Sequence, residues 1–170
     1  RERERIGRET DKAFPRKRRP AEAPGRTKEY QETNDFFDAI IKAEGTGKYG
    51  NPYDESLGYL KSPKPLSQMT MNEALAWGEH IRKETDIGLR TNSSAKGAFQ
   101  IVNTTQRTAM KALGIRGDEI FSPENQRRMA SWIARKQGLR AWEGFKFHPQ
   151  QLARARVAMA AGKDKDFATR

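Results

Sequence analysis

The stretch FFDAIIKAEGTGKYGNPYD, residues 36–54, combines the pattern of an amphipathic helix with that of a polar loop. Phe36, Ile40 and Glu44 recur at every fourth position, so they share one face of a helix. Gly45 follows at once and is typical of a helix end. The spacing therefore predicts that Glu44 closes the apolar face of this helix, with its carboxyl group directed at the core.

The position of Glu44 suggests a chemical role. Burial against apolar side chains destabilises the charged form of a carboxyl group and raises its pKa, so such a group can keep its proton near neutrality. A protonated carboxyl is what a general acid needs. We therefore predict that Glu44 is a general acid. The alternative interpretation is a glutamate at a helix end that turns outward into water.

The remaining chain predicts further helices separated by polar segments. The fold class that we expect is α+β and mostly α, with a small β-hairpin region after the first helix. The helix signals are, in chain order, the capping box Thr70–Glu73, a cap at Asn103 or Thr104 with Gly114 at the end, the Ser122-Pro123 start, and the alanine-rich stretch 149–161.

Net charge is distributed unevenly along the 170 residues. Residues 1–30 carry a net charge of +5, residues 31–126 carry −2, and residues 127–170 carry +8. Such basic ends favour polyanions, which include nucleic acid, anionic lipid and bacterial wall polymer. Charge alone does not choose among these partners.

Composition excludes several classes of site. The chain has no cysteine, which excludes disulfides and thiolate metal ligands. Its two histidines, His80 and His148, do not form a zinc-binding HExxH motif, so we expect neither a metal nor a cofactor. An apolar run of about 18 residues and a signal-peptide pattern are both missing from the sequence, which argues against a membrane span and against ordinary secretion.

Residues 1–32 are basic, contain three prolines and have few large apolar side chains. A segment of this composition cannot bury enough surface to offset the entropy of ordering. We therefore predict a docking arm that becomes ordered only against a partner, with the basic run 16–19 facing an acidic surface. The expected catalytic domain covers residues 33–162, and residues 163–170 form a polar tail.

Four motifs in this order and spacing resemble the phage lambda-type endolysins and related phage lysozymes, over about residues 34–145. They are AEGT at 43–46, Tyr53-Asp54 with Gly58 after it, SSAKGAFQI at 93–101 and FSPENQ at 121–126. The resemblance implies a lysozyme-like fold and cleavage of the β-1,4 bond between N-acetylmuramic acid and N-acetylglucosamine in peptidoglycan. It also gives Glu44 the role of general acid. The chain departs from the family at Arg127, where these endolysins commonly carry Asp.

The resemblance also implies residues that bind the glycan. In lysozyme-like enzymes the second motif lines the substrate groove. Gly97 would let the backbone approach a sugar, Gln100 offers a donor and an acceptor to an acetamido group, and Phe99 can pack behind Glu44. An alternative is that Phe99 is simply a core residue. The candidate substrate-binding residues are Tyr53, Ser94, Gly97, Phe99 and Gln100.

Asp54 is the candidate second carboxylate. Most glycosidases use one as nucleophile or base, and a solvated loop beside Tyr53 could keep Asp54 ionised. The alternative is a loop Asp that binds its own turn. The lambda-type enzymes are lytic transglycosylases, in which one glutamate serves as acid and base and a 1,6-anhydro product forms. Hydrolysis and transglycosylation both stay open at this point.

The arm and the lack of a signal peptide together predict a location. We expect an enzyme carried in the phage virion, in the tail or internally, that acts on the host periplasm or cell wall. The alternatives are a free endolysin and a non-catalytic structural virion protein. Nucleic acid is a less favoured partner, because the basic ends lack a helix-turn-helix, a zinc finger or an aromatic RNA-binding pattern.

Overall fold

The computed structural model of the protein describes residues 35–165. Within this range the chain forms α-helices joined by loops and short 3-10 turns, which confirms the predicted mostly α class. The α-helices of this range are α1 Asp35–Glu44, α2 Met71–Glu84, α3 Asp86–Thr91, α4 Asn103–Leu113, α5 Pro123–Gln137 and α6 Pro149–Ala160.

Helix termini agree with the sequence where the signal is local. The hydroxyl of Thr70 accepts from the N–H of Glu73 at 3.1 Å, and the Glu73 carboxylate accepts from the N–H of Thr70 at 3.0 Å, so the capping box of α2 is complete. Ser122 caps α5 by accepting from the N–H of Asn125 at 3.1 Å. Gly114 ends α4 in the left-handed conformation, with φ 67°.

The predicted cap of α4 is wrong. Asn103 is the first helical residue and Val102 stands at the N-cap position, so neither Asn103 nor Thr104 is the cap. The physical reason is that the Asn103 side chain is buried and used elsewhere. Its Oδ1 accepts from Lys96 Nζ at 2.8 Å, and its Nδ2 donates to the carbonyl of Leu75 at 2.8 Å.

The polar stretch at 83–92 contains α3, a helix that the sequence did not predict. Thr85 caps it by accepting from the N–H of Gly88 at 3.1 Å. A helix of six residues is too short to display a clear apolar period. The local signals are therefore confined to its two ends, the Thr85 cap and Asn92, which has a left-handed conformation with φ 49°.

The segment between α1 and α2, where the sequence predicts a small β-hairpin region, forms 3-10 turns at Pro52–Asp54, Leu57–Tyr59 and Leu66–Gln68. Its backbone pairing includes two isolated antiparallel bridges, from Ser56 to Lys96 and from Thr70 to Ile120. Prolines contribute to this outcome, because a proline has no N–H to donate to a strand ladder. In the described residues this segment thus forms turns in place of a hairpin, and isolated backbone contacts join it to the 93–101 region.

α1 lies at the centre of the core. Its large apolar side chains, Phe36, Phe37, Ile40 and Ile41, are all fully buried. Burying a side chain of this size contributes on the order of 2 kcal/mol. The helix packs chiefly against α6.

Ion pairs reinforce the contact between α1 and α6. Arg154 reaches Asp38 and Asp35, with N–O distances of 2.7 Å in both cases. Lys42 lies 3.2 Å from the same Asp38 oxygen. α1 is therefore held at its N-terminal half by charge as well as by apolar packing.

The start of the predicted polar tail packs against the domain. Residues 163–165 form a 3-10 turn in which Asp164 is buried. Its carboxylate lies 3.0 Å from Arg135 Nε, and its carbonyl accepts a hydrogen bond from Ser131. These residues thus belong structurally with α5.

The predicted docking arm, residues 1–32, lies outside the described residues, as do residues 166–170. Among the helices of residues 35–165, none has the length and apolar character needed to cross a membrane. In the same range, no cluster of three or more His, Cys, Asp or Glu side chains could hold a metal ion.

Candidate active site

Glu44 is buried at the end of α1, with 7% of its surface exposed. It continues the stripe of Phe36 and Ile40, as the spacing predicts. Gly45 then turns the chain through a positive φ of 72°, and its carbonyl accepts a hydrogen bond from the hydroxyl of Tyr59 at 3.1 Å. The conformation that follows Glu44 is therefore fixed by an aromatic side chain from the next loop.

A second bond ties the end of α1 to the 93–101 motif. The hydroxyl of Thr46 donates to the carbonyl of Ala98 at 2.7 Å, and both residues are buried. Ala98 lies in the loop 97–100, which Lys96 and Ile101 close through an antiparallel bridge. The segment that follows the predicted acid is thus bonded to the predicted groove motif at this loop.

The loop 97–100 has an unusual backbone. Gly97 has φ 79° and Gln100 has φ 49°, which is sparsely populated by residues other than glycine. The Gln100 side chain donates to the carbonyl of Gly97 at 2.9 Å and so offsets part of this strain. Such strain costs on the order of 1 kcal/mol and tends to occur at functional sites.

Neighbouring elements hold this loop from several directions. Gly97 donates to the carbonyl of Glu55 at 2.7 Å, and Trp142 Nε1 donates to the carbonyl of Phe99 at 2.9 Å. Ala98 donates to Gln126 Oε1 at 3.0 Å. Because each contact comes from a different part of the chain, the loop is fixed relative to the whole domain.

Phe99 is a fully buried core residue. Its ring centroid lies 5.7 Å from that of Phe37 on α1 and 5.9 Å from that of Tyr53. The ring therefore supplies apolar surroundings next to the helix of Glu44. This arrangement agrees with the alternative interpretation of Phe99 as core.

Gly97 is buried, and its environment explains why glycine is required there. A Cβ at this position would lie 2.5 Å from Gln126 Oε1, in addition to the strain of the positive φ. Packing within the protein, rather than approach of a sugar, accounts for this residue. Gln100 differs from its neighbours in being half-buried, so it keeps some surface available to a ligand.

Tyr53 and Arg127 form a pair beside the loop. Arg127 Nη1 donates to the Tyr53 hydroxyl at 3.0 Å, and the guanidinium carbon lies 5.5 Å from the centroid of the ring. Burial raises the pKa of Tyr53, and the Arg127 charge opposes that shift. The residue at which the chain departs from the endolysin pattern is thus in contact with a candidate substrate-binding residue.

Asp54 and Ser94 bind backbone N–H groups. Asp54 is buried, and its Oδ1 accepts from the N–H of Ser67 at 2.9 Å, which anchors the turn Leu66–Gln68. Ser94 is buried, and its hydroxyl accepts from the N–H of Asn103 at 2.8 Å. Both side chains therefore support the scaffold of the site.

Lys96 is a central residue that the sequence interpretation did not single out. It is fully buried, and its Nζ donates to the carbonyl of Ile101 at 3.1 Å and to Asn103 Oδ1 at 2.8 Å. The pKa of Lys96 is lowered to about 7, chiefly by burial and to a smaller extent by the charge of Arg107, while the charge of Glu79 opposes the shift. A lysine in a polar motif is ordinarily exposed, so composition gave no sign of this arrangement.

Gln126 is the second residue that sequence reasoning missed. It is fully buried in α5, and its amide joins three segments at once. The oxygen accepts from Ala98, while the nitrogen donates to the carbonyls of Tyr53 and Phe121 at 3.1 Å and 3.0 Å. The FSPENQ motif that identified a helix start therefore also carries the residue that links the loop to Tyr53.

No protein-family model matches the chain, and neither a curated protein nor a solved structure gives a match.

Proposed function

We propose that the protein is a phage enzyme that cleaves the β-1,4 bond between N-acetylmuramic acid and N-acetylglucosamine in peptidoglycan, by a lysozyme or lytic transglycosylase reaction on a lysozyme-like fold. Glu44 is the proposed general acid. The observation that carries the proposal is a buried carboxyl at the end of an apolar helix, tied through Thr46 to the strained loop 97–100.

In the proposed reaction Glu44 protonates the oxygen that joins the two sugars as the bond from that oxygen to C1 of N-acetylmuramic acid breaks. In the transglycosylase route, the 6-hydroxyl of the same sugar attacks C1 and its proton returns to the Glu44 carboxylate. The products are a 1,6-anhydro end and a free 4-hydroxyl. In the hydrolytic route, water replaces the 6-hydroxyl and leaves a reducing end.

The contacts of Asp54 favour the route that needs one carboxyl group. Its Oδ1 is bound to the N–H of Ser67, and the side chain is buried. A carboxylate that anchors a neighbouring turn is less suited to serve as nucleophile or base for a sugar. We therefore favour transglycosylation, with Glu44 acting as both acid and base.

We propose further that the enzyme belongs to the virion, in the tail or internally, and acts on the host wall. The support for this location is the basic, proline-containing composition of residues 1–32, which suits a segment that binds a partner. Deleting residues 1–30 is expected to preserve lysis of purified sacculi and to remove the protein from assembled particles. Native stoichiometry of the truncated protein in particles would refute the docking role.

The decisive experiment compares the native chain with Glu44→Gln in a turbidity assay on purified sacculi. Gln keeps the shape of the side chain and removes the proton donor, so lysis should fall by at least about a hundredfold, the lower end of what general acid catalysis contributes. Glu84→Gln is the matched control, because Glu84 ends α2 with 66% of its side chain exposed. This control should lyse sacculi at the native rate.

Circular dichroism of each variant separates loss of chemistry from loss of fold. Native-like lysis by a folded Glu44→Gln variant would refute the assignment of the acid. Absence of lysis by the native protein itself would favour a non-catalytic virion protein instead.

A further inference from the structure

We infer that Tyr49 is an aromatic binding platform for a sugar ring of the glycan, placed beside the proposed acid. This inference deepens the proposed function by adding a direct ligand contact to it. Tyr49 lies in the polar loop after α1, and 40% of its surface is exposed, whereas the neighbouring Tyr53 and Tyr59 are buried.

The position of Tyr49 is fixed by a second aromatic residue. The centroids of the Tyr49 and Tyr59 rings are 4.6 Å apart, and the ring planes are nearly perpendicular at 88°. Edge-to-face pairs of this kind are favourable because the positive edge of one ring meets the negative face of the other. An exposed tyrosine in a glycine-rich loop is thereby given a defined orientation.

The same contact locates Tyr49 relative to the acid. The Tyr59 hydroxyl donates to the carbonyl of Gly45 at 3.1 Å, and Gly45 follows Glu44 directly. One residue, Tyr59, therefore bridges the platform and the end of α1. Tyr59 itself has a positive φ of 60°, a strained conformation that the two contacts help to stabilise.

The chemistry of the surface fits a pyranose. One side of such a ring presents a patch of C–H groups, which are weakly positive and apolar, and the face of an aromatic ring is apolar and weakly negative. Lys48 places its Nζ 5.3 Å from the centroid of Tyr49. Because Lys48 is exposed, a sugar that approaches this face displaces only a hydrated, movable cation.

The loop in which Tyr49 lies gives a reason for its exposure. Gly47 and Lys48 on one side are exposed, and Gly50 on the other is half-buried, so the aromatic ring stands out from a segment with few side chains. The exposed part of the Tyr49 ring is therefore open to a ligand, and covering it would remove apolar surface from water. A glycan strand that reaches Glu44 would pass along this surface.

The test measures binding separately from cleavage. The full chain carrying Glu44→Gln is used as the parent, and its co-sedimentation with purified sacculi is compared with that of versions that also carry Tyr49→Ala or Tyr49→Phe. The same series is titrated with a soluble β-1,4-linked N-acetylglucosamine oligomer. Phe147→Ala is the matched control, because Phe147 is an aromatic residue with 64% exposure outside this loop.

Loss of the ring in Tyr49→Ala should weaken binding about tenfold, which is the size of effect that an aromatic contact produces. Tyr49→Phe should bind within about twofold of the parent, because stacking uses the ring rather than the hydroxyl. Phe147→Ala should bind as the parent does. Tyr49→Phe and Phe147→Ala should unfold at the parent temperature, whereas Tyr49→Ala loses the edge-to-face contact with Tyr59 and should unfold slightly lower, with a native circular dichroism spectrum below its transition.

Parent-like binding by Tyr49→Ala, equal losses in Tyr49→Ala and Phe147→Ala, or no binding of either probe by the parent would each overturn the inference. Failure of the proposed catalytic function is distinguished by the lysis assay. If the native protein does not lyse sacculi and Tyr49→Ala nevertheless loses glycan binding, the platform stands and the catalytic proposal falls.

Discussion

Replacing Lys96 by Met should remove a pH dependence of the free energy of unfolding that the buried lysine gives to the native protein. Lys96 is fully buried, and burial lowers the pKa of its ammonium group from 10.5 to about 7. The positive charge of Arg107 destabilises the charged form of Lys96, and the negative charge of Glu79 stabilises it. Met has a similar length and cannot titrate. The pH dependence of the difference in free energy of unfolding between the two proteins therefore reports the proton on Lys96 alone.

The sign follows from proton binding in the two states. Between about pH 7 and pH 10.5 the unfolded chain binds more protons at Lys96 than the folded chain does, so native stability rises with pH in this window. Below the folded pKa, the folded protein carries the full cost of the buried charge. Each pKa unit corresponds to about 1.4 kcal/mol, so the total cost is roughly 5 kcal/mol, of which roughly 3 kcal/mol disappears between about pH 7 and pH 9.5.

Urea unfolding of both proteins at the two pH values measures this change. The variant loses the hydrogen bonds to Ile101 and Asn103, which shifts its stability by a constant amount and leaves the pH dependence of the difference intact. Lys111→Met, at an exposed position of α4, is the control and should give a difference that does not vary with pH. A constant difference for Lys96→Met as well would refute the argument that this buried lysine loses its proton near neutrality.

The scaffold of the site gives further expected outcomes. Gln126→Leu should destabilise the fold by about 2 kcal/mol or more in urea unfolding, because three backbone groups lose their hydrogen-bond partner. It should also raise the KM for glycan. The control is Gln106→Leu, at another fully buried glutamine, which should lower stability but leave the KM unchanged. Gly97→Ala should reduce the thermal midpoint, with a cost of at least about 1 kcal/mol from its positive φ; an unchanged midpoint would contradict the close contact between the added Cβ and the Gln126 side chain. Asp54→Asn should retain most of its lysis and give anhydro-muropeptides by mass spectrometry, and loss of activity by orders of magnitude with products ending in reducing muramic acid would restore Asp54 as nucleophile or base.

Local signals account for what the sequence predicted well. Thr70 and Ser122 cap their helices through residues three positions away, so the pattern and the hydrogen bond lie in the same short window. The burial of Glu44 follows from its place in a stripe whose spacing can be read directly. The caps are each contained in one turn of helix, and the stripe of Glu44 in a single ten-residue helix.

Long-range partners account for what the sequence could not provide. Gln126 bonds to Tyr53 and Ala98, which are separated from it by 73 and 28 positions. The partners of Lys96 are nearer, at Ile101 and Asn103, but they meet its side chain only because the chain turns back at the bridge between Lys96 and Ile101, which the sequence pattern does not indicate. Asp54 likewise contacts Ser67 in a separate turn, so its scaffold role required the folded arrangement.

The contact between α1 and α6 also determines when the core can be completed during synthesis. α1 is made early in the described range, yet the helix that covers it, together with the Arg154 ion pairs to Asp35 and Asp38, comes at the other end. Closing such a distant contact carries a loop entropy that contacts within the intervening helices must first reduce. A nascent chain that stops before α6 therefore lacks the helix against which α1 chiefly packs, and we expect it to be held by chaperones or degraded rather than to accumulate as a shortened protein.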